Sequence, residues 1–293
     1  MIAHSCPGGE RKLEVIDCPQ RAYQLVQNWK LASASVGLIP TMGALHQGHL
    51  SLADRSLHEC HKTVATIFVN PTQFGPNEDF SRYPRTLEKD LGELAARKVD
   101  MVFTPTRESL YPSGYSTFVD PPAVAKPLEG VCRPGHFRGV STVVLKLFQI
   151  LPSTVAYFGQ KDYQQLAVIR QVVVDLNIPV RIQGCPTVRE PDGLALSSRN
   201  RYLSSSDRLK AVSLWTALQT TKRLFDEGER CVRALESAML EVLIKMGIEQ
   251  IDYARVVDAN TLSDIETIDS GAVALIAARV GKTRLIDNLI LEL

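Results

Sequence analysis

Two short apolar runs, each ended by a proline, constrain the fold of this chain most strongly. They are Val36-Gly37-Leu38-Ile39-Pro40 and Val64-Ala65-Thr66-Ile67-Phe68-Val69-Asn70-Pro71. Runs of this kind, rich in β-branched residues and closed by a breaker, are typical of strands buried within a parallel sheet. Between them, residues 45–60 carry apolar side chains at roughly helical spacing. The order strand, helix, strand predicts an α/β fold.

The same alternation continues along the first part of the chain. Further strands are predicted at residues 99–103 and 156–159, and helices at residues 86–98 and 163–176. This order predicts a Rossmann-like, doubly wound parallel sheet with helices on its faces. Ligands bind such sheets at the carboxyl ends of the strands. Three polar loops follow predicted strands, and they cover residues 40–49, 70–75 and 159–162.

The pattern changes after about residue 187. Helices are predicted at residues 204–228 and 232–246, and alternating strands at 251–257, 272–278 and 285–289. We therefore divide the chain into a Rossmann-like nucleotide- and substrate-binding domain, residues 1–187, and a smaller α+β C-terminal lid domain, residues 188–293.

Composition limits the function classes. The chain has 33 lysines and arginines against 32 aspartates and glutamates, so it carries no extended basic surface typical of a nucleic-acid-binding protein. No apolar run reaches the roughly 18–20 residues of a membrane span. The six cysteines form no Cys-x-x-Cys pair, and no signal peptide is recognisable. These features predict a cytoplasmic protein that binds neither a membrane nor nucleic acid.

The loop at residues 38–50 carries the strongest chemical signal. It is predicted as a strand, a tight turn and the start of a helix, and a helix N-terminus is a natural seat for phosphate. His46 and His49 are three residues apart, so they lie side by side in a first helical turn and can donate to phosphate oxygens. Gly48 leaves room for a purine to approach the backbone. The alternative, two surface histidines on an ordinary helix, does not account for their position after a strand and a glycine turn.

Six motifs follow one another in a specific order. They are Pro40-Thr41-Met42-Gly43-Ala44-Leu45-His46-Gln47-Gly48-His49, Phe68-Val69-Asn70-Pro71-Thr72-Gln73-Phe74, Tyr83-Pro84-Arg85-Thr86, Arg133-Pro134-Gly135-His136-Phe137-Arg138-Gly139-Val140, Phe158-Gly159-Gln160-Lys161-Asp162-Tyr163-Gln164-Gln165 and Gly193-Leu194-Ala195-Leu196-Ser197-Ser198-Arg199-Asn200. Together they resemble the pantothenate synthetase (pantoate–β-alanine ligase) family of the nucleotidyltransferase superfamily. The resemblance covers residues 38–203 and the C-terminal strands, and leaves the first 12 or so residues unmatched.

The resemblance implies a ligase that forms an amide bond in two steps. Pantoate attacks the α-phosphorus of ATP to give pantoyl adenylate and pyrophosphate, and the amine of β-alanine then displaces AMP to give pantothenate. It also implies ATP with Mg²⁺ as a substrate, the small molecules pantoate and β-alanine as the other partners, and a homodimer. No cluster of carboxylates in the sequence indicates a dedicated metal site.

The resemblance also implies roles for individual residues. His46, His49 and Lys161 are expected to be catalytic, with His49 labelled as the proton donor. Two glutamines, Gln73 and Gln165, are expected to bind pantoate or β-alanine. The residues expected to bind ATP are Met42, Gly43, Ala44, Leu45, His46, Gln47, Gly48, His49, Gly159, Gln160, Lys161, Asp162, Val188, Leu196, Ser197, Ser198 and Arg199.

Several of these residues fit more than one interpretation. The Ser197-Ser198-Arg199 cluster suits a departing pyrophosphate, but a Ser-Ser pair also suits a helix cap. Gln73 and Gln165 suit a hydroxy acid with several oxygens, and each also suits a buried structural position. A helix N-terminus favours neutral imidazoles, so the histidines are expected to donate hydrogen bonds rather than transfer a full proton. The segment around Arg133 and His136 is expected to cover the site without a direct role.

Three other features have simpler explanations. Gly281-Lys282-Thr283 resembles the end of a phosphate-binding loop, but strands are predicted on both sides, which favours a hairpin turn. His58-Glu59-Cys60-His61 lacks the order of a zinc motif. The basic series in residues 82–98, interleaved with Glu88, Asp90 and Glu93, is interpreted as a solvated helix face.

Three competing functions remain. A cofactor adenylyltransferase shares the histidine loop, but it is usually shorter and does not need Gln73 and Gln165. A fragment of an aminoacyl-tRNA synthetase needs a tRNA-binding module, against which the balanced charge argues. A non-catalytic nucleotide-binding regulator has no reason to keep both imidazoles together with Lys161.

Overall fold

A parallel sheet forms the first part of the molecule. The structure is a computed structural model that describes residues 12–76 and 78–293, so the unmatched N-terminal extension lies largely outside the described residues. The six strands are paired in the order β1-β4-β3-β2-β5-β6, all parallel. They are β1 Glu14–Ile16, β2 Val36–Thr41, β3 Lys62–Ile67, β4 Met101–Phe103, β5 Val155–Gly159 and β6 Arg181–Cys185. The predicted doubly wound sheet is confirmed.

Helices cover both faces of this sheet. They are α1 Pro19–Leu31, α2 Gln47–Glu59, α3 Leu87–Ala96, α4 Arg107–Leu110, α5 Glu129–Cys132, α6 His136–Ile150 and α7 Tyr163–Asp175. Alternate strand residues point to opposite faces, so that Leu38 packs in the core beneath α1, α6 and α7, whereas Ile39 packs in the core beneath α2 and α3. Burial on both sides explains why the central strands read as continuous apolar runs.

Sequence patterns missed six of these elements, including the one-turn helices α4 and α5. The edge strand β1 is only three residues long, and the other edge strand, β6, reads Arg181-Ile182-Gln183-Gly184-Cys185, which lacks an apolar run. Helix α1 had also not been predicted. Helix α6 begins at His136, directly after a Gly/Pro-containing segment that had been interpreted only as a cover over the site.

An antiparallel sheet and three helices form the C-terminal part. Its strands β7 Gln250–Asp258, β8 Ala272–Val280 and β9 Thr283–Leu291 pair in that order, and the helices are α8 Ser205–Ala211, α9 Ser213–Asp226 and α10 Val232–Lys245. The predicted small α+β unit and the hairpin between β8 and β9 are confirmed. The prediction of one helix over residues 204–228 was wrong, because the helix is interrupted at Val212. The division of the chain at residue 187 stays a prediction.

The middle strand of this small sheet is buried on both faces, in agreement with its apolar sequence. Ala274 and Ile276 pack in one core with α9 and α10, whereas Val273 and Leu275 pack in another with residues of α7. The small sheet is therefore the layer that joins the C-terminal helices to the parallel sheet. Within the described residues, no helix is long and apolar enough to cross a membrane.

Candidate active site

The site lies where the strand order of the parallel sheet reverses. From β2 the chain moves to β3 on one side, and β5 lies on the other side of β2. The loops after β2 and β5 therefore leave the sheet in opposite directions and open a crevice between them, which is the usual position of a ligand in such folds. The loop after β2 contains His46, and the turn after β5, Gln160–Asp162, contains Lys161.

One cavity at this crevice collects most of the residues expected to bind substrates. About 210 Å³ of it is open to water. The expected residues that line it are Met42, His46, Gly48, His49, Gln73, Gly159, Lys161, Asp162, Gln165, Val188, Leu196, Ser197, Ser198 and Arg199. Gly43, Ala44, Leu45, Gln47 and Gln160 do not line it, although they belong to the same two loops. Residues 186–188 and 196–199, in the segment that follows the last strand of the sheet, also line the cavity.

The two imidazoles stack at the beginning of α2. Their ring centroids are 4.1 Å apart with an interplanar angle of 35°. His46 caps the helix, and its Nδ1 accepts the backbone N–H of Gly48 at 3.1 Å. A nitrogen that accepts carries no proton, so the neutral ring holds its proton on Nε2. His46 is therefore a hydrogen-bond donor through Nε2.

The position of His46 gives Gly48 a structural reason, and the room that it leaves for a purine stays a prediction. A Cβ at this position would lie 2.9 Å from Cε1 and 3.0 Å from Nδ1 of His46. Any larger residue would push the ring away from the backbone N–H that it accepts. Glycine at position 48 thus fixes the place of the imidazole.

Both histidines are neutral at physiological pH. Burial, followed by the nearby Lys161 ammonium, lowers the pKa of His46 from 6.5 to about 4. Burial, followed by His46 and Lys161, lowers the pKa of His49 from 6.5 to about 3. Neutral rings were expected, but the cause is burial and a cation rather than the helix N-terminus. Among the described residues, Nδ1 of His49 is buried and has no hydrogen-bond partner.

A buried carboxylate holds the loop before His46. The N–H groups of Ala44 and Leu45 donate to the two carboxylate oxygens of Asp90 at 2.8 and 2.9 Å. Asp90 is 1% exposed, so its interpretation as part of a solvated helix face was wrong. Charged residues on either side concealed this aspartate in the sequence. The two amides that were expected to bind ATP already have an acceptor within the protein.

A side chain from the C-terminal sheet holds the turn that carries Lys161. Nδ2 of Asn288, on β9, donates to the carbonyl oxygens of Gln160 and Lys161 at 2.9 and 2.8 Å. The Lys161 side chain is 20% exposed, and its Nζ lies 4.0 Å from Oδ1 of Asp162. Nothing in the sequence around Asn288 indicated this contact, which spans more than a hundred residues of chain.

Residues Ser197, Ser198 and Arg199 both cap a short helix and line the cavity. Oγ of Ser197 accepts the backbone N–H of Arg199 at 3.3 Å and caps the short 3₁₀ helix Ser198–Tyr202. Oγ of Ser198 donates to the carbonyl oxygen of Ala44 at 3.0 Å, which ties this segment to the histidine loop. Arg199 donates to both carboxylate oxygens of Asp79 at 3.0 and 2.8 Å. The cluster lines the cavity, with its arginine paired by a carboxylate.

The two glutamines reach the same cavity from opposite sides. Gln73 is 9% exposed, and its Oε1 accepts from Nδ2 of Asn70 at 3.1 Å. Oδ1 of Asn70 in turn accepts from the hydroxyl of Tyr111 at 2.9 Å. Gln165 lies on α7, immediately after the Lys161 turn. Asn70 is a cavity residue that sequence reasoning did not single out, although it lies in a quoted motif.

Arg133 and His136 are closer to the cavity than the sequence suggested. Nδ1 of His136 donates to the carbonyl oxygen of Gln73 at 2.8 Å, and its Nε2 accepts from Arg133 at 3.1 Å. Burial, followed by the charge of Arg133, lowers the pKa of His136 to about 4, which agrees with a neutral ring. Arg133 also pairs with Glu78 through two contacts of 2.7 Å. These residues support the backbone of Gln73.

Comparison with known proteins decides the family. A family model described as pantoate–β-alanine ligase matches residues 14–290. The chain belongs to this family. It is therefore a ligase of pantothenate biosynthesis, and the competing assignments as a cofactor adenylyltransferase, a synthetase fragment or a non-catalytic regulator are set aside.

Individual ligases of the family are similar along nearly their whole length. Pantothenate synthetase of Roseiflexus castenholzii is 54% identical over 88% of this chain and 93% of the relative. That of Thermotoga neapolitana is 48% identical over 95% and 100%. The crystal structure of pantothenate synthetase from Thermus thermophilus has a TM-score of 0.87 at 43% identity, over 94% of this chain and 98% of that one. The Francisella tularensis ligase, complexed with β,γ-ATP and β-alanine, has a TM-score of 0.78 at 35% identity, over 95% and 97%.

Proposed function

We propose that this ligase condenses (R)-pantoate with β-alanine in the cavity between the histidine loop and the Lys161 turn, with ATP as the energy source. The observation that carries the assignment of the site is the convergence, at the switch point of the sheet, of two neutral imidazoles, one ammonium and two glutamines. Each of these groups answers a separate demand of the reaction, which activates a carboxylate before an amine attacks it.

In the first step, the carboxylate of pantoate attacks the α-phosphorus of ATP and pyrophosphate leaves. Negative charge builds on the phosphate oxygens in the transition state. His46, as a neutral donor through Nε2, and the adjacent His49 are suited to hydrogen-bond these oxygens, and the Lys161 ammonium is suited to neutralise the leaving pyrophosphate. With pKa values of about 4 and about 3 in the free protein, the histidines act as hydrogen-bond donors rather than as acids.

In the second step, the amine of β-alanine attacks the carbonyl carbon of pantoyl adenylate, and AMP leaves. The mixed anhydride has to be kept from water until then. Apolar side chains line the same cavity as Gln73 and Gln165, among them Val143, Leu147 and Phe158. This apolar wall suits the geminal methyl groups of pantoate, while the two amide groups suit its hydroxyl and carboxylate oxygens.

ATP is expected to enter as its Mg²⁺ complex. The cations that line the cavity are Lys161, Arg133 and Arg199, and the two arginines are already paired with Glu78 and Asp79. The remaining Lys161 ammonium does not balance the charge of a triphosphate, so a divalent ion supplied with the nucleotide fits the site. Among the described residues, no group of three or more histidine, cysteine, aspartate or glutamate side chains is placed to hold a metal. The homodimer and the cytoplasmic location stay predictions.

Exchange of labelled pyrophosphate into ATP tests the proposed site. We expect the wild-type enzyme to exchange only when pantoate is present, and His49→Ala to lose on the order of 100- to 1,000-fold of this rate, because a donor to the developing charge is gone. His58→Ala is the matched control, since His58 is exposed and lies in the last turn of the same helix. Exchange without pantoate, or equal rates for the two variants, would contradict the assignment.

A further inference from the structure

We propose that Asp90 is a positioning residue for the adenylylation step, whose buried carboxylate shapes the histidine loop through the two backbone amides that donate to it. This proposal rests on the proposed function of the cavity and adds to it a residue that does not line the cavity. The loop of residues 43–45 offers two successive backbone N–H groups to one side, an arrangement that binds anions. In this chain a carboxylate of its own occupies that position.

The geometry of the loop requires an anion close to it. Gly43 and Ala44 both have left-handed backbone conformations, with φ of 80° and 50°. Such a conformation is unfavourable for alanine and persists where the surroundings hold it. The Asp90 carboxylate supplies that hold, since each of its oxygens accepts one amide, from Ala44 and from Leu45. It lies so close that a Cβ at position 43 would be 3.1 Å from Oδ2.

The carboxylate is itself held in place from its own side. Oγ1 of Thr86 lies 3.1 and 3.2 Å from the two oxygens of Asp90, as a hydroxyl donor one turn earlier in the chain. Asp90 therefore receives two amides from the loop and one hydroxyl from the start of α3. A buried carboxylate with this number of donors is held in a fixed orientation.

The loop that the Asp90 carboxylate holds leads directly into His46, a proposed donor to the phosphate oxygens. Leu45 is followed by His46, whose ring is set by the amide of Gly48. The carbonyl oxygen of Ala44 accepts a hydrogen bond from Ser198. The position of Ala44 therefore also sets the distance between the histidine loop and the segment of residues 196–199 that lines the cavity. Because Asp90 occupies the amides of the loop, the phosphates of ATP are directed to the imidazoles and Lys161 instead.

Removal of the carboxylate tests the proposal through kinetics and rescue. For Asp90→Ala, we expect kcat of pantoate-dependent pyrophosphate exchange to fall on the order of 100-fold, because the donor groups are misplaced, with KM for pantoate nearly unchanged. Formate, a carboxylate small enough for the emptied position, should restore part of the lost kcat, whereas neutral formamide should not. Glu88→Ala, which removes an exposed carboxylate from the same helix, is the matched control.

Two further measurements decide the case if Asp90→Ala folds poorly. Thr86→Val removes a single donor to the carboxylate and should lower kcat several-fold while the protein stays folded. In free Thr86→Val and free Asp90→Asn, the ¹⁵N chemical shifts of the His46 ring should differ from those of the wild type. This readout does not depend on the reaction, so it stands even if the wild type shows no pantoate-dependent exchange. Unchanged kcat and unchanged His46 shifts in Thr86→Val would overturn the proposal, as would equal effects of formate and formamide.

Discussion

The two loops that form the site are held in different ways. The histidine loop is held by Asp90, which lies on α3 within the parallel-sheet part of the molecule. The Lys161 turn is held by Asn288, which lies on the last strand of the C-terminal sheet. The histidine loop is therefore held mainly from within the first part of the chain, with one contact from Ser198, whereas the Lys161 turn depends on the docking of the C-terminal sheet.

Ion pairs show how this docking is secured. Arg284 on β9 donates to both carboxylate oxygens of the buried Glu129 at 2.9 and 2.7 Å, and Arg189 donates to Asp287 at 2.6 and 2.9 Å. Asp287 is the residue before Asn288, so the Arg189 pair fixes the strand at the point where it contacts the Lys161 turn. We therefore expect the Lys161 ammonium to respond more strongly than the imidazoles to the position of the C-terminal sheet, because Asn288 holds its turn, whereas the histidine loop keeps the support of Asp90.

The largest difference between the two loops is expected from Asn288→Ala. Two carbonyl oxygens of the Lys161 turn lose their donor, and unpaired groups of this kind cost about 1–3 kcal/mol. We expect kcat/KM for ATP to fall about tenfold as the turn relaxes, while the ¹⁵N shifts of the His46 ring stay unchanged. The exposed Asn260, in the same part of the chain, provides the control Asn260→Ala. A change at His46 would show that the two loops are not held independently.

Sequence patterns indicated the two loops that carry His46 and Lys161, but not the residues Asp90 and Asn288 that hold these loops in place. Short apolar runs ended by breakers identify central strands, and in a doubly wound sheet the loops after those strands meet at one edge. Local pattern therefore placed His46 and Lys161 together. Edge strands carry a weaker pattern because one side faces solvent, which is why β1 and β6 were missed.

The supporting residues could not be found in this way for a physical reason. Asp90 is 46 residues from Ala44 and stands among charged neighbours on an amphipathic helix, where a buried carboxylate and a solvated one look alike. Asn288 is 128 residues from Gln160 and lies, with Asp287, between apolar residues of β9. A polar residue in a strand buried on most sides is a usable signal, because an amide there has to find partners.

A smaller effect is expected from Gly48→Ala, which alters the histidine loop alone. The added Cβ would lie 2.9 Å from the ring of His46, so the ring has to turn away from the backbone N–H that it accepts. We expect pantoate-dependent exchange to fall about three- to tenfold because a donor is misplaced. Alanine favours a helix over glycine by about 1 kcal/mol, which offsets the similar cost of the lost cap, so the free energy of unfolding should change little. Activity and stability measured on the same preparation separate these two effects, and a loss of both would contradict the account of Gly48.

The response of stability to pH also separates the two loops. The pKa of His46 is about 4 and that of His49 about 3, both below the ordinary value of 6.5. Between pH 6.5 and the lowered pKa of each ring, the histidine binds a proton in the unfolded chain but not in the folded protein. The free energy of unfolding therefore falls as the pH decreases from about 6.5. Each such group contributes at most about 1.4 kcal/mol per pH unit.

Urea denaturation between pH 7.5 and 4.5 measures this response. His49→Asn should show a smaller loss of stability on acidification than the wild type, because one group that must be buried neutral has been removed. Asn288→Ala should be less stable at every pH but should keep the wild-type slope, since it leaves both imidazoles buried. Parallel curves for the wild type and His49→Asn would show that the histidine loop does not carry the pH dependence, and a changed slope in Asn288→Ala would assign part of it to the docking of the C-terminal sheet.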